Sequence, residues 1–204
     1  HSESVMFADL WDAICRFFRD WFGKGITTYS TKEIAAQQAI LNMPATIRLK
    51  PTSEIAWSDS TRVETYQNLF RAENLTLVGR YKIAEMERCY IEAHADQDRE
   101  FYALILQFQH LLYLDLTSSC EDKTGFTVCD TTQNMSDRPP WQTTLFLTGK
   151  SPKQMLKTFL EKRPQKPFQL VGPDFFVDQF CQAYARETKW RKAQIMASNK
   201  SSVE

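Results

Sequence analysis

The spacing of apolar residues changes along the chain, and each spacing predicts a type of element. Residues 7–22 place apolar side chains three and four positions apart, which is typical of an amphipathic helix. From Leu75 to Gly149 apolar and polar residues alternate, as in strands with one packed face. Helical spacing returns at about 152–163 and 173–198. This order predicts an α+β fold: an antiparallel β-meander of five or six strands flanked by N-terminal and C-terminal helices.

Within the predicted sheet, about residues 75–149, two segments are almost continuously apolar. These segments, FYALILQF and LLYLDL, are expected to pair at the centre of the sheet, with helices covering one face. The segment EDKTG predicts a hairpin turn in which Gly125 adopts a positive φ. We expect a single α+β domain over residues 26–204, preceded by an amphipathic N-terminal helix over residues 1–25.

Residues at helix ends support these boundaries. Asn74 is placed to end a helix over the segment STRVETYQNLFRAEN. Ser151 followed by Pro152 is typical of an N-cap and the first helical residue. The segment between these two helices therefore holds the whole predicted meander.

The first helix carries an apolar stripe that needs a covering surface. Its large aromatic members include Phe7, Trp11, Phe18, Trp21 and Phe22. The opposite face holds three acids and two arginines, whereas a membrane-bound helix is usually rich in Lys and Arg there. A stripe this apolar is not left in water. We expect it to contact protein (this domain, a second copy or another protein), with a membrane surface as the less favoured alternative.

The charge balance and the motifs exclude several classes of function. Among 204 residues, 25 Lys and Arg balance 25 Asp and Glu, which argues against nucleic-acid binding. No GxSxG, Walker or GxGxxG motif occurs, so no cofactor is expected and catalysis is not favoured. His94, Asp96 and Asp98 alternate and could hold a divalent cation, but no second cluster completes the shell, so no metal is expected.

Asp115 interrupts the apolar segment LLYLDLTSS. Alternation with its leucine neighbours places it on the solvated face beside Tyr113, and the alternative is a buried carboxyl with a raised pKa. Cys120 and Cys129 flank the EDKTG turn. We expect free thiols there, because a bridge requires a register that sets the two residues opposite each other.

The stretch LVGRYKIAEMERCYIEAHADQDREFYALI, then LDLTSSCEDKTGFTVCDTTQNMSDRPPW and later QAYARETKWRKAQ, resembles an uncharacterised family of bacterial proteins. The resemblance covers about residues 75–200. Its most specific residues are Asp137, Arg138, Pro139 and Pro140. Two prolines predict a rigid loop outside the strand ladder, in which Arg138 binds carbonyls or a carboxylate. The resemblance implies a bacterial origin and one continuous domain, and it supplies no activity.

These observations favour a non-enzymatic domain for protein interaction or self-association. Such a domain binds a protein partner or forms a homo-oligomer. The alternative is a small-molecule or lipid-binding domain with an apolar pocket under the sheet, at a membrane surface or with hydrolytic activity. The sequence contains no run of about 18 apolar residues, so it predicts no membrane-spanning helix. We therefore expect a cytoplasmic location, with association to a membrane as the alternative.

Overall fold

A computed structural model describes residues 37–131 and 139–201. Residues 37–42 are helical. The strands that follow are β1 (Leu49–Pro51), β2 (Thr76–Ile83), β3 (Cys89–Asp96), β4 (Phe101–Phe108), β5 (Leu111–Ser119), β6 (Gly125–Cys129) and β7 (Gln142–Phe146). The three longer helices are α1 (Ser60–Ala72), α2 (Pro152–Lys162) and α3 (Pro173–Ser201).

The described strands form one seven-stranded sheet in chain order, β1 to β7. Neighbouring strands are antiparallel from β1 to β6, whereas β7 runs parallel to β6. The prediction of an α+β fold with a mostly antiparallel sheet and helices on both sides of it in the chain is confirmed. The strand count is higher than the predicted five or six, and the last pair is parallel because the chain returns to the same end of the sheet before β7 begins.

The two most apolar strands lie at the centre, as predicted. Every residue of β4 is buried, and in β5 only Leu111 is not. The turn between them places Gln109 at φ 57°, so a tight hairpin joins the two strands. Strands this apolar on both sides need cover on both faces of the sheet.

Helices pack on both faces, which corrects the prediction of one covered face. Ile105, Leu114 and Val128 belong to the core that includes buried residues of α1 and α2. Ile91, Leu104 and Leu106 belong to the core that includes buried residues of α3 and the 37–42 helix. We call these the α1 face and the α3 face. The fold therefore has three layers, with the sheet in the middle.

Both helix-end predictions are confirmed, and the predicted hairpin at EDKTG joins β5 to β6, but the predicted positive φ at Gly125 is wrong. Asn74 follows α1 with a left-handed φ of 58°. The hydroxyl of Ser151 accepts from Gln154 N and the Gln154 side chain accepts from Ser151 N, a capping box at the start of α2. In the EDKTG turn the positive φ, 68°, is at Lys123, and Gly125 already belongs to β6.

Hydrogen bonds and aromatic contacts hold the inward side of α3 against the rest of the fold. The Tyr102 hydroxyl accepts from Gly172 N at 2.9 Å, just before the helix begins. The ring of Phe176 contacts Tyr102 with a centroid distance of 5.2 Å. Further along, the Tyr184 hydroxyl donates to the carbonyl oxygen of Pro44 at 2.8 Å. These contacts fix which side of α3 faces the sheet and which faces outward.

Candidate functional site

The outward side of α3 and Trp141 enclose a groove of about 500 Å³. Its lining consists of Trp141, Gln182, Ala185, Arg186, Lys189, Trp190 and Ala193. The helical members are three or four positions apart, so they share one face of α3. Trp141 comes from the chain just before β7, which brings the loop and the helix together.

Two tryptophans and one arginine shape this groove. The Trp141 and Trp190 rings meet edge to face, with centroids 6.2 Å apart at an interplanar angle of 76°. The guanidinium carbon of Arg186 lies 4.0 Å from the Trp141 ring centre. Arg186 Nη1 also donates to the carbonyl oxygen of Lys123 at 3.2 Å. The cation and the aromatic wall are therefore held in a fixed relation.

The groove lining contains cations and no carboxylate. Arg186 and Lys189 supply positive charge, and Trp141 and Trp190 remain partly exposed. Tryptophan and arginine are the residues that most often dominate the energy of protein–protein contacts. The composition fits an apolar helix with acidic flanks better than a small polar substrate.

Polar residues are buried on the inward side of α3 and on the α3 face of the sheet. On the sheet these residues include Asp115, Thr117, Thr127 and Gln142, and on α3 they include Glu187, Thr188 and Arg191. All of them are buried. Burying polar groups is costly unless they bind each other, so this layer is the least typical part of the interior. We call it the buried polar layer.

Direct hydrogen bonds join parts of the buried polar layer. The hydroxyls of Thr117 and Thr127 lie 2.9 Å apart, and Gln142 Nε2 donates to Thr127 Oγ1 at 3.1 Å. Arg191 Nε and Nη2 donate to Glu187 Oε1 at 2.9 and 2.7 Å. This ion pair lies one helical turn apart on α3. The layer thus contains a charge pair that is 4% and 6% exposed in its side chains.

The structure corrects the prediction for Asp115. It is 1% exposed and opposes Leu104 of β4, on the face that α3 covers. Alternation correctly assigns Asp115 to the face opposite Leu114, but that face is buried at this position. Glu187 and Arg191 were not predicted as part of a buried layer. Their signal is present, because Glu187 and Arg191 continue the apolar stripe that begins at Phe176.

A second buried carboxylate lies on the α1 face, near the other end of the sheet. Glu92 accepts from Arg80 Nε at 2.6 Å and from Gln67 Nε2 at 2.9 Å, and it lies 2.9 Å from His94 Nε2. Burial by itself raises the pKa of Glu92, but the bonds from His94, Arg80 and Gln67 outweigh it and lower that pKa to about 2. Glu92 is thus an ionised structural carboxylate whose charge is balanced by the side chains bound to it.

Two of the candidate cation ligands, His94 and Asp96, each bind another side chain. His94 points its Nε2 at Glu92, while Asp96 binds the guanidinium of Arg99. Across residues 37–131 and 139–201, no three His, Cys, Asp or Glu side chains are grouped as metal ligands. Asp130 is likewise bound to other side chains: it accepts from Arg62 Nη2 at 2.6 Å and from the Tyr66 hydroxyl. These carboxylates join elements of the fold.

Several predicted site residues lie outside the described part of the chain. These are Phe7, Trp11, Phe18, Trp21 and Phe22 of the stripe, together with Asp137 and Arg138 of the loop. The loop's remaining residues are described: Pro139 is buried, Pro140 is exposed, and the carbonyl oxygen of Pro139 accepts from Gln142 N at 3.0 Å. The loop therefore leads directly into Trp141 and the groove.

The predicted free thiols at Cys120 and Cys129 agree with the register. Asp115 opposes Cys129 and Ser119 opposes Gly125, so the two cysteines are not across from each other. Both are buried, and no disulfide joins them.

No protein-family model, curated protein or solved structure matches the chain. In the described part of the chain, no helix is both long and apolar enough to cross a membrane.

Proposed function

We propose that the protein is a non-enzymatic self-association domain, in which the stripe of residues 7–22 of one copy docks in the Trp141–Trp190 groove of a second copy. The groove is the observation that carries the proposal. It combines two partly exposed tryptophans with Arg186 and Lys189 on one outward helix face. Aromatic residues and arginine are enriched at the centres of protein interfaces.

The chemistry of the stripe complements that of the groove. The stripe offers large apolar side chains, including Trp11 and Phe18, and its polar face holds one acid more than it holds bases. The groove offers aromatic surface and two cations, and none of its lining residues is acidic. Charge complementarity of this kind orients an encounter, while the apolar contacts supply the affinity.

The apolar packing on both faces of the sheet supports the same proposal. Buried side chains of the two core clusters pack on both faces of the sheet, with Leu104 on one face and Leu114 on the other. A ligand-binding domain needs an open apolar space with a few convergent polar groups. The described carboxylates Glu92 and Asp130 are engaged in structural ion pairs. An exposed interaction surface therefore fits the described residues better than a pocket under the sheet.

A second copy is the occupant to which the proposal commits. One chain carries both the stripe and the groove, so two copies can exchange stripes reciprocally and close a symmetric dimer. Residues 23–36 separate the stripe from the first described residue. Fully extended, a segment of that length spans roughly 45 Å, enough to reach a neighbouring copy.

The experiment is a complementation test by sedimentation velocity on the full chain. The wild type should be dimeric. A stripe variant with Trp11→Ser and Phe18→Ser, and a groove variant with Trp190→Ala and Arg186→Glu, should each be weakened. Loss of one interface tryptophan costs about 2 kcal/mol or more, roughly thirtyfold in the dissociation constant. An equimolar mixture should restore heterodimers, because one variant keeps the groove and the other keeps the stripe.

The control is Lys153→Glu, which reverses a charge at an exposed position of α2 and should leave the dimer intact. Thermal melting of each variant separates loss of the dimer from loss of the fold. A wild type that stays monomeric at every concentration contradicts the proposal. So does a mixture of folded variants that stays monomeric.

A further inference from the structure

Three side chains form a row across β1, β2 and β3 on the α1 face. Lys50 pairs with Lys82, and Lys82 pairs with Tyr90. Directly opposed residues of neighbouring strands have Cβ atoms about 5 Å apart and share a face of the sheet. Both lysines are exposed and Tyr90 is half-buried. The row therefore presents two ammonium groups and a phenol side by side.

The two lysines are not neutralised by the protein around them. Within the described residues, neither ammonium lies within 4.0 Å of a carboxylate, whereas the neighbouring arginines are paired: Arg48 Nε lies 2.7 Å from Glu85 and Arg80 Nε lies 2.6 Å from Glu92. Like charges directly opposite each other destabilise a sheet. An unneutralised pair of this kind is a favourable place for an anion.

A groove of about 440 Å³ is lined by this row and the β2–β3 turn. Arg88 adds a third cation to the lining, Glu85 is already bound to Arg48, and Glu87 is exposed in the turn. On the far side of Tyr90 the row continues to Gln107.

Gln107 closes that side of the row. Its Oε1 accepts from Ser58 N at 2.7 Å, and its Nε2 donates to the carbonyl oxygen of Ala56 at 3.4 Å. The segment that connects β1 to α1 is thereby fastened beside the row. The donors of Lys50, Lys82 and Tyr90 are thus bounded on one side and open on the other.

We infer that this row binds the phosphate group of a small phosphate monoester. Such a group carries a charge of about −1.5 to −2 at neutral pH and three acceptor oxygens. Two oxygens accept from Lys50 and Lys82, and the third accepts from the Tyr90 hydroxyl. The bound dianion replaces the repulsion between the lysines with two attractions. The groove next to the row leaves space for the organic part of the ester.

The experiment is a titration of the ¹⁵N-labelled full chain, followed by NMR of the backbone amides. Inorganic phosphate should shift the amides of residues 81–90 in a saturable way, with half-saturation in the millimolar range. Sodium chloride at matched ionic strength should not. Phenyl phosphate should bind more tightly than inorganic phosphate, because its ring can pack against Tyr90.

Matched variants test the assignment. Lys82→Gln should weaken phosphate binding by up to about fivefold, the effect of losing one exposed ion pair. Tyr90→Phe should weaken it by a smaller factor. Lys153→Gln removes an exposed lysine on α2 and should change nothing. Shifts that grow linearly with phosphate, or that survive unchanged in folded Lys82→Gln, overturn the inference. Loss of the dimer has no bearing on this result.

Discussion

The two ends of the sheet carry polar residues on opposite faces. At the β1–β3 end, Lys82 and Glu92 lie on the α1 face, and the α3 face of the same strands is apolar. At the β5–β7 end, Asp115 and Thr127 lie on the α3 face, and the α1 face is apolar. Each face is therefore half apolar and half polar.

The two polar regions differ in what covers them. At the β1–β3 end the polar side chains reach solvent through Lys82 and through Arg80, whose side chain is 37% exposed. At the β5–β7 end the polar side chains of the sheet are buried, as are Glu187 and Arg191 of α3. The same strand alternation thus gives a cluster with exposed cations at one end and a fully buried polar layer at the other.

The comparison shows that strand alternation sets the face of a polar residue, while tertiary packing sets its burial. A buried ion pair adds little net stability compared with apolar residues of the same size, but losing one member leaves an unpaired charge. Removing one member of the Glu187–Arg191 pair should therefore destabilise α3, whose outward side lines the groove.

The largest expected effect is at Arg191. Arg191→Met should lower the free energy of unfolding by about 3–5 kcal/mol, because Glu187 loses its cation while it stays buried. The matched control is Lys157→Met. Lys157 and Glu161 are also four residues apart on a helix, but their side chains are 76% and 57% exposed, and this change should cost less than about 0.5 kcal/mol. Urea unfolding measures both, and equal losses contradict the comparison.

The next largest effect is on the stability of the fold in acid, through Glu92 at the β1–β3 end. Folding lowers the pKa of Glu92 from 4.5 to about 2, so its ionised form stabilises the fold fully above pH 4.5. That contribution is lost as the pH falls towards 2 and amounts to about 3 kcal/mol in total. Glu92→Gln should lack this part of the acid dependence. The stability gap between wild type and Glu92→Gln should therefore narrow in acid, and a constant gap speaks against the assignment.

The smallest effect is kinetic and compares two buried thiols. Cys89 lies at the apolar β1–β3 end of the α3 face, where burial raises its pKa to about 12. Cys129 lies on the same face at the polar end, opposite Asp115. A region with fewer apolar contacts opens more easily, so iodoacetamide should modify Cys129 several-fold faster than Cys89. Peptide mass spectrometry measures the two rates, with denatured chain as the control; faster labelling of Cys89 contradicts this.

Strand positions were predictable where the pattern is local. The segments that form β4 and β5 are apolar on both sides, which only a central strand tolerates. Ser151 begins α2 through its capping hydroxyl, and Asn74 follows the end of α1 with a left-handed φ. The parallel direction of β7 was not predictable, because the residues of β7 carry no signal for the path that leads to them. The sequence likewise assigns Asp115 to a face without saying what covers it.

The groove escaped prediction for the same reason. Trp141 and Trp190 are separated by most of the last third of the chain, and only the packing of α3 brings them together. The stripe of residues 7–22 is the reverse case, since its periodicity is evident in the sequence and the stripe itself lies outside the described residues. For the function, local patterns indicate which residues need a partner, and tertiary packing decides where that partner binds.

The short strand β1 has a consequence for how the protein behaves at high concentration. It has three residues, and the last, Pro51, has no amide hydrogen to offer an incoming strand. Its middle residue, Lys50, adds a charge on the same edge. Proline and lysine on a short outer strand are features that oppose edge-to-edge aggregation. Among the described strands, β1 is therefore an outer edge that disfavours the addition of a strand from another molecule.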